Sequence, residues 1–510
     1  MINRRKFITG AGVSAALVGS AALQQKLLAV EAVGTPQPGQ PRPGTAEARK
    51  GLPLMERIDP KPTDPPGVAG QDYTPVITPN NIALPWEIVD GVKVYHMVAE
   101  EVEHEFAPGI KAQCWGFNGQ VHGPTIEAVE GDRVRIYVTN NSPAPTSVHW
   151  HGILLPNGMD GVAGLNQKAI KPGETYRYEF TLRQHGTHMY HAHHDEMTQM
   201  AMGMMGMFII HPRHPKGPRP DRDFAFMLSE WQIKVGTSRP NPNEMMGFNI
   251  FTFNAKCFPG TAPLVVKMGD RVRIRIGSVA VMDHHPIHLH GYQFRITETD
   301  GGQVPESAQQ PETTVLVGVG QSRTIDFVAD EPGDWALHCH MTHHVMNQMG
   351  DNFPNMIGVK PGKGDKMLRT MLPGYMEMGS DGMGDMATMG MPIPRNSIPM
   401  VGAQGQFDYI TMGGLFTVLK VRENLASYDD PGWYQNPAGT VATIATADEL
   451  RRDKITVMAA KPASGTAGTY TCVMHAEVVS KAPGKCPKCG MALKPQAGKS
   501  APSQGAQHRH

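Results

Sequence analysis

The sequence predicts an all-β protein built from two copies of one sandwich domain, followed by a small metal-binding module, with long connecting segments. Two observations carry this. The first is an internal repeat. Gly131-Asp-Arg-Val-Arg-Ile136 recurs unchanged as Gly269-Asp-Arg-Val-Arg-Ile274, and His149-Trp-His-Gly152 is followed by His288-Leu-His-Gly291. Gly173 to Phe180 matches Gly320 to Phe327, and His191-Ala-His193 matches His338-Cys-His340, all in the same order. The second is a period of two: Val134, Ile136, Val138 and Val272, Ile274, Ile276 alternate with polar residues between Gly, Asn and Pro punctuation. Alternation of that kind marks short half-buried strands, and helical periodicity is hard to find.

Each segment follows in order. Residues 1–32 begin with Arg4-Arg5-Lys6 and continue through the small, apolar stretch from Gly10 to Leu23, the order of an export signal, and the paired arginines resemble a twin-arginine signal. A periplasmic location is therefore expected. Residues 33–70 are rich in Pro and are expected to be an extended linker. The two repeats are placed at 71–215 and 216–362. Residues 363–400 form a Met-rich segment interleaved with Gly and Asp, and 401–468 a linker with a strand-like stretch from Phe407 to Arg422. A Cys/His module at 469–495 and a disordered tail at 496–510 complete the chain.

Composition narrows the function classes. At roughly 150 residues per domain, 510 residues would give three to four domains, a number the repeat reduces. Lys+Arg and Asp+Glu both total 47, so no charge excess favours nucleic acid or an anionic membrane as a partner. Past the N-terminus no apolar run reaches the ~20 residues of a spanning helix. The 23 His, 33 Met and 6 Cys are instead soft-metal ligands.

Four His-x-His pairs stand at matched places in the repeat: His149/His151, His191/His193, His288/His290 and His338/His340. On a strand, residues i and i+2 share a face about 6.6 Å apart, so each pair can aim two imidazoles at neighbouring metal ions. Cys339, between His338 and His340, projects to the opposite face and would serve a different ion. Cys339 with His285, His344 and Met349 makes a His₂Cys set with an axial Met, the arrangement of blue-copper electron-transfer sites. Electrons arriving there need only pass along the Cys339 backbone to reach His338 and His340.

Together, His149-Trp-His-Gly, His191-Ala-His, His285-Pro-Ile-His-Leu-His-Gly291 and His338-Cys-His-Met-Thr-His-His344 resemble the four copper signatures of the multicopper oxidases, over roughly residues 85 to 360. The resemblance implies two cupredoxin-like Greek-key β-sandwiches. It also implies type 2 copper on His149 and His288, and the type 3 pair on His151, His191, His193, His290, His338 and His340. Type 1 copper falls to Cys339, His285, His344 and axial Met349. In the first repeat Ala192 stands for Cys339, Thr146 for His285, and Met197 and Met202 for His344 and Met349, so a type 1 site is absent there. That argues against a copper nitrite reductase and for a two-domain, laccase-like oxidase. The stretch between His193 and His285 is too short for an intervening domain. Two-domain relatives place the trinuclear cluster between adjacent subunits, and a homotrimer is expected.

Some residues depart from the pattern or stand beside it. Val345 follows His344 where family members often carry a proton-relaying carboxylate. Asp160, in Met159-Asp-Gly161, is a candidate acid behind the cluster and equally a turn residue. His194, His284 and His343 break the spacing and are not expected to be ligands. Met197, Met200, Met202, Met204, Met205 and Met207 suit core packing better than Cu(I), whereas Met367 to Met400 suits Cu(I) delivery better than packing. Cys472, His475, Cys486 and Cys489 resemble the heavy-metal-binding domain of bacterial efflux proteins; copper, zinc or a structural disulfide all fit this set. Cys114 and Cys257 read as buried thiols.

The expected reaction is one-electron oxidation of substrate, four times over, coupled to reduction of O2 to water. Cu(I) is favoured as substrate, ahead of a phenol and then of Mn(II) or Fe(II). A copper-storing protein without catalysis is the non-enzymatic alternative, against which the complete eight-histidine set argues.

Overall fold

The structure is a computed structural model that describes residues 59–279, 281–348, 355–357, 376–378, 395–457, 470–472, 477–488 and 493–495. The expected export signal, most of the Pro-rich and Met-rich segments, Met349, His475, Cys489 and the tail lie outside the described residues.

In the first repeat, Trp86–Val89, Val92–Ala107, Ile110–Phe117, Arg133–Asn140 and Thr175–Thr181 form a five-stranded sheet. Ile126–Val129, Met205–His211, Gly186–Ala192 and Val148–His151 form a four-stranded one. Buried residues of both sheets meet in one core: Tyr95, Ile136 and Tyr178 from the larger, Trp150, Tyr190 and Phe208 from the smaller. Arg133–Asn140 shows strict alternation of buried and half-buried residues, as its sequence predicts. The second repeat follows the same plan. Arg222–Trp231 runs parallel to Arg271–Ser278, which pairs antiparallel with Gln321–Val328. The facing five-stranded sheet has Gly333–Cys339 between Phe416–Arg422 and His285–Leu289. Phe226, Ile274 and Ile325 pack there against Ile287, Leu337 and Leu419.

Two expected boundaries are corrected. Phe416–Arg422, read as part of a linker, pairs antiparallel with Gly333–Cys339 and parallel with Leu264–Lys267, and every residue of it is buried. It occupies the place that Met205–His211 holds in the first repeat, between Gly186–Ala192 and Ile126–Val129. The second sandwich therefore closes well past residue 362, and the Met-rich segment is an insertion between its last two strands. Within that segment Met400 is buried, and its carbonyl accepts a hydrogen bond from the Asn347 N–H. At the other end, Val76–Ile77, placed by sequence in the first domain, pairs with Arg222–Trp231 of the second.

The two sandwiches share a buried seam. Met189, Met205, Met207 and Ile209 of the first pack on Ala225, Met227 and Val279 of the second, so Met205 and Met207 are core, as expected. Met202 and Met204 also lie in a core, but Met197 sits exposed on the short helix Glu196–Ala201, a helix the strand reading did not anticipate. Polar closure of the seam falls to buried Arg275, whose guanidinium reaches Asp223 at 2.8 Å, Glu298 at 3.3 Å and Thr187 Oγ1 of the first repeat at 2.9 Å. Burial alone would disfavour these charges; mutual pairing offsets that cost.

Candidate metal centre

Strand register places the histidines. His149 stands opposite His191 on paired strands while Trp150 opposes Tyr190, so the imidazoles take one face and the aromatic pair the core. The four rings of His149, His151, His191 and His193 meet at centroid separations of 5.3 Å (His149 to His193) to 5.8 Å (His191 to His193). In the second repeat His288 stands opposite His338 and Ile287 opposite Cys339. There the rings of His288, His290, His338 and His340 lie 4.8 Å (His288 to His290) to 5.6 Å (His288 to His338) apart. His290 and His340 are exposed. Among the described residues no ring contact or hydrogen bond joins the two quartets.

Backbone carbonyls orient these rings, as neighbouring acceptors commonly do for metal-binding imidazoles. Nδ1–H donates to the Asp160 carbonyl from His149 (2.8 Å), to Ala192 from His191 (2.9 Å), to Thr313 from His288 (2.8 Å) and to Cys339 from His338 (2.8 Å). That leaves Nε2 of His191 and His338 for contacts within the quartets, His338 Nε2 lying 3.1 Å from His290 Nε2. His151 is reversed: its Nε2–H donates to the Gly320 carbonyl of the second repeat at 2.9 Å, and Nδ1 faces His191 Nε2 at 3.3 Å. Burial lowers His151, His290 and His338, and takes His191 down to about 3, so these rings are neutral and fit to bind a cation.

Asp160 is placed beside His149 by a close approach. Gly161 has φ +88°, and a Cβ there would meet the Val148 carbonyl at 1.7 Å, so only glycine lets this turn seat its aspartate. Both the Asp160 carbonyl and its Oδ1, at 3.5 Å, face His149 Nδ1.

On the opposite side of the second sheet lies the trio His285, Cys339 and His344, all buried. His285 opens its strand, Cys339 ends the neighbouring one, and His344 follows on the turn Thr342–Val345. Phe251 stacks on the His344 ring at 4.1 Å. The turn is clamped by Gly414, where a Cβ would meet the His344 carbonyl at 2.1 Å. Cys339 Sγ lies 3.9 Å from His285 Nδ1 and 3.5 Å from His344 Nδ1, with 3.2 Å between the two nitrogens. A point equidistant from all three is about 2.1 Å from each, the length of a bond from imidazole nitrogen to a transition metal and about 0.2 Å short of one from thiolate. The donors are imidazole and thiolate, the soft set that suits copper. Burial pushes the Cys339 thiol up to about 12 and His344 down to about 3, so a cation entering here displaces the thiol proton.

Two carboxylates that the sequence reading missed stand behind this trio. Buried Glu230 places Oε2 3.6 Å from His285 Nε2, and half-buried Asp283 places Oδ2 3.7 Å from His344 Nε2. Asp283 lies two residues before His285, a proximity that sequence could have offered; Glu230 lies on a strand remote in sequence. In the C-terminal module Cys472 and Cys486 are buried together with Leu493. Cys114 and Cys257 are buried thiols, as expected.

Residues 98–215 and 233–358 each match the multicopper oxidase family, and 469–496 match the heavy metal binding domain. Copper resistance protein A of Escherichia coli is 27% identical over 275 residues, 44% of this chain and 44% of that protein. Laccase-2 of Botryotinia fuckeliana is 31% identical over 270 residues, 48% of this chain and 45% of that protein. The chain thus spans less than half the length of these curated relatives. A blue copper oxidase structure from Nitrosomonas europaea aligns with a TM-score of 0.47 at 28% identity, over 64% of this chain and 85% of that one. With two domains of this kind in tandem, and a heavy-metal-binding domain beyond them, the chain belongs to the multicopper oxidase family.

Proposed function

We propose that this protein oxidises Cu(I) one electron at a time and couples four such oxidations to reduction of O2 to water, as a periplasmic copper-tolerance enzyme. One observation carries the reading: Cys339 faces the buried trio while its chain neighbours His338 and His340 face the quartet, so a single strand end joins two metal-binding arrangements. His285, Cys339, His344 and Met349 would hold type 1 copper. The two quartets would hold type 2 and type 3 copper. Copper bound in these places supplies one-electron transfer from substrate and four-electron reduction of O2.

The chain's own residues do the rest. Buried neutral imidazoles and the carbonyls behind them present fixed nitrogens without reorganisation. Phe251 and the surrounding core exclude water from Cys339. Exposed Met282 and Met341, on the segments that carry His285 and His344, supply thioethers that favour Cu(I) over Cu(II), and Asp283 beside His344 adds charge for a cation. The C-terminal module, with Cys472, His475, Cys486 and Cys489, would hold a further copper or zinc ion.

Exposed His290 and His340, and the separation of the quartets within one chain, support a homotrimer in which each quartet is completed by a neighbouring subunit. The test is oxygen consumption with Cu(I), a phenol and Mn(II) in parallel, with light scattering on the same protein. Preference for Cu(I) by a trimer supports the proposal; faster turnover of the phenol makes it a laccase-type oxidase, and a fully active monomer overturns the shared cluster.

A further inference from the structure

Glu230 lies in the interior of the second sandwich, 2% exposed, on Arg222–Trp231 opposite Phe251 of the neighbouring strand. Its Oε1 accepts hydrogen bonds from the N–H groups of Met282, at 2.5 Å, and Asp283, at 3.1 Å, and so pins the segment that leads into His285. Its Oε2 has no hydrogen-bond partner. Neither has His285 Nε2, the atom it faces at 3.6 Å. Two buried polar atoms left unpaired this close to each other are costly, and the cost disappears when the imidazole moves a few tenths of an ångström and donates its N–H to the carboxylate. A cation bound at His285 Nδ1 strengthens that donor, because it withdraws charge from the ring.

We propose that Glu230 is a positioning residue for the mononuclear centre: it holds His285 with Nδ1 turned toward Cys339 and His344, and it sets the reduction potential there by placing a desolvated negative charge behind the ligand. The sign follows from charge. The oxidised centre carries one more positive charge than the reduced one, so a nearby carboxylate stabilises the oxidised form and lowers the potential. Asp283 stands in the same relation to His344 but is half-exposed, where water and salt screen it. The structure therefore ranks two otherwise similar carboxylates: Glu230 has a large, salt-insensitive effect and Asp283 a small, salt-sensitive one. No other acid is within ion-pairing distance of these two rings among the described residues.

This inference rests on the reading of the trio as a copper site, and the experiment separates the two. Copper-loaded, full-length wild type, Glu230→Gln, Glu230→Ala and Asp283→Asn are titrated with a one-electron mediator while the thiolate-to-copper absorption is followed, at low and high salt. Glu230→Gln keeps the shape and the acceptor for the Met282 and Asp283 N–H groups. It is expected to retain the absorption and to shift the equilibrium with the mediator about tenfold toward the reduced form, equivalent to about +59 mV for a one-electron couple. Asp283→Asn is expected to shift it less, and only at low salt. Glu230→Ala, which also frees the His285 ring, is expected to broaden or lose the absorption. An unchanged potential in Glu230→Gln with its absorption intact overturns the role of Glu230 alone. Absence of the absorption from wild type overturns the copper reading itself.

Discussion

The two sandwiches share a strand plan around the histidines, Ile126–Val129, Met205–His211, Gly186–Ala192 and Val148–His151 in the first answering to Leu264–Lys267, Phe416–Arg422, Gly333–Cys339 and His285–Leu289 in the second, and they differ at a buried spot beside it. In the second, Cys339, His285 and His344 converge with nitrogen and sulfur atoms 3.2 to 3.9 Å apart, where one thiol proton is shared by two facing Nδ1 atoms. In the first, Ala192 replaces the thiol, and Thr146 hydrogen-bonds Gln199 Oε1 at 2.6 Å while Gln199 Nε2 donates to the Pro145 carbonyl at 2.8 Å. One interior is closed by its own hydrogen bonds; the other gathers two imidazoles and a thiol at a spacing that a cation would fill. The fold supplies the frame for both, and a few side chains decide which offers metal-ligand atoms.

Breaking the comparison at its strongest point has the largest expected effect. Cys339→Ser makes the second sandwich resemble the first: the thiolate absorption disappears and substrate oxidation falls to background, while copper held by the quartets remains detectable by metal analysis. The converse, Ala192→Cys, is expected to give no such absorption, because Thr146 and exposed Met197 offer no imidazole.

The next effect is on the seam that keeps the two sandwiches in register. Arg275→Ala leaves Asp223 and Glu298 buried without their cation, and is expected to cost about 3–5 kcal/mol in urea unfolding. A change below about 1 kcal/mol would show that the seam rests on its methionines instead.

The first sandwich also carries a pH-dependent pair. Burial raises the Glu127 carboxyl to about 7, and burial holds the His211 imidazole, 3.0 Å away, well below its usual value. The folded Glu127 keeps a proton that the unfolded chain has lost above about pH 4.5, so its contribution to stability declines as pH rises toward 7. His211 acts in the opposite sense: the unfolded imidazole takes up a proton near pH 6.5 that the folded one refuses, and stability falls as pH drops below that point. Glu127→Gln removes the first slope and keeps the second. From pH 4.5 to 6.5 the two slopes oppose each other, so melting temperature should be nearly flat in the wild type and should rise with pH in the variant; the same profile in both would contradict the assignment.

Asp160→Asn should have the smallest effect. His149 is held mainly by the Asp160 carbonyl, which the substitution preserves, and the carboxylate stands off at 3.5 Å. Loss of quartet copper affinity is expected to stay under about tenfold by chelator competition. A larger loss would give the carboxylate a role of its own.

Local patterns in the sequence made the repeat, the strands and the His-x-His faces legible, because period-two alternation fixes which way His149, His151 and their partners point. What it concealed depends on contacts between distant segments. Phe416–Arg422 is seven consecutive buried residues without alternation, cut off from its repeat partners by a long insertion. Val76–Ile77 is two residues long, and its neighbour strand begins at Arg222. Glu230 and the Gly320 carbonyl act on His285 and His151 across large sequence separations, and no motif announces a buried carboxylate or a peptide oxygen. Asp160 was legible both as a turn residue and as a candidate acid; it ends the turn Asn157–Met159 and sets its carbonyl, more closely than its carboxylate, against His149.

The insertion between Cys339 and Phe416 has one more consequence. Its two ends are adjacent, since His338 and Phe416 are cross-strand partners. A protease cut within it, or a pair of new termini engineered there, would leave the closing strand held by its two neighbours and by the core rather than by the covalent chain. The protein should thus behave as two fragments that recognise each other, and their reassembly could be followed as recovery of the thiolate absorption.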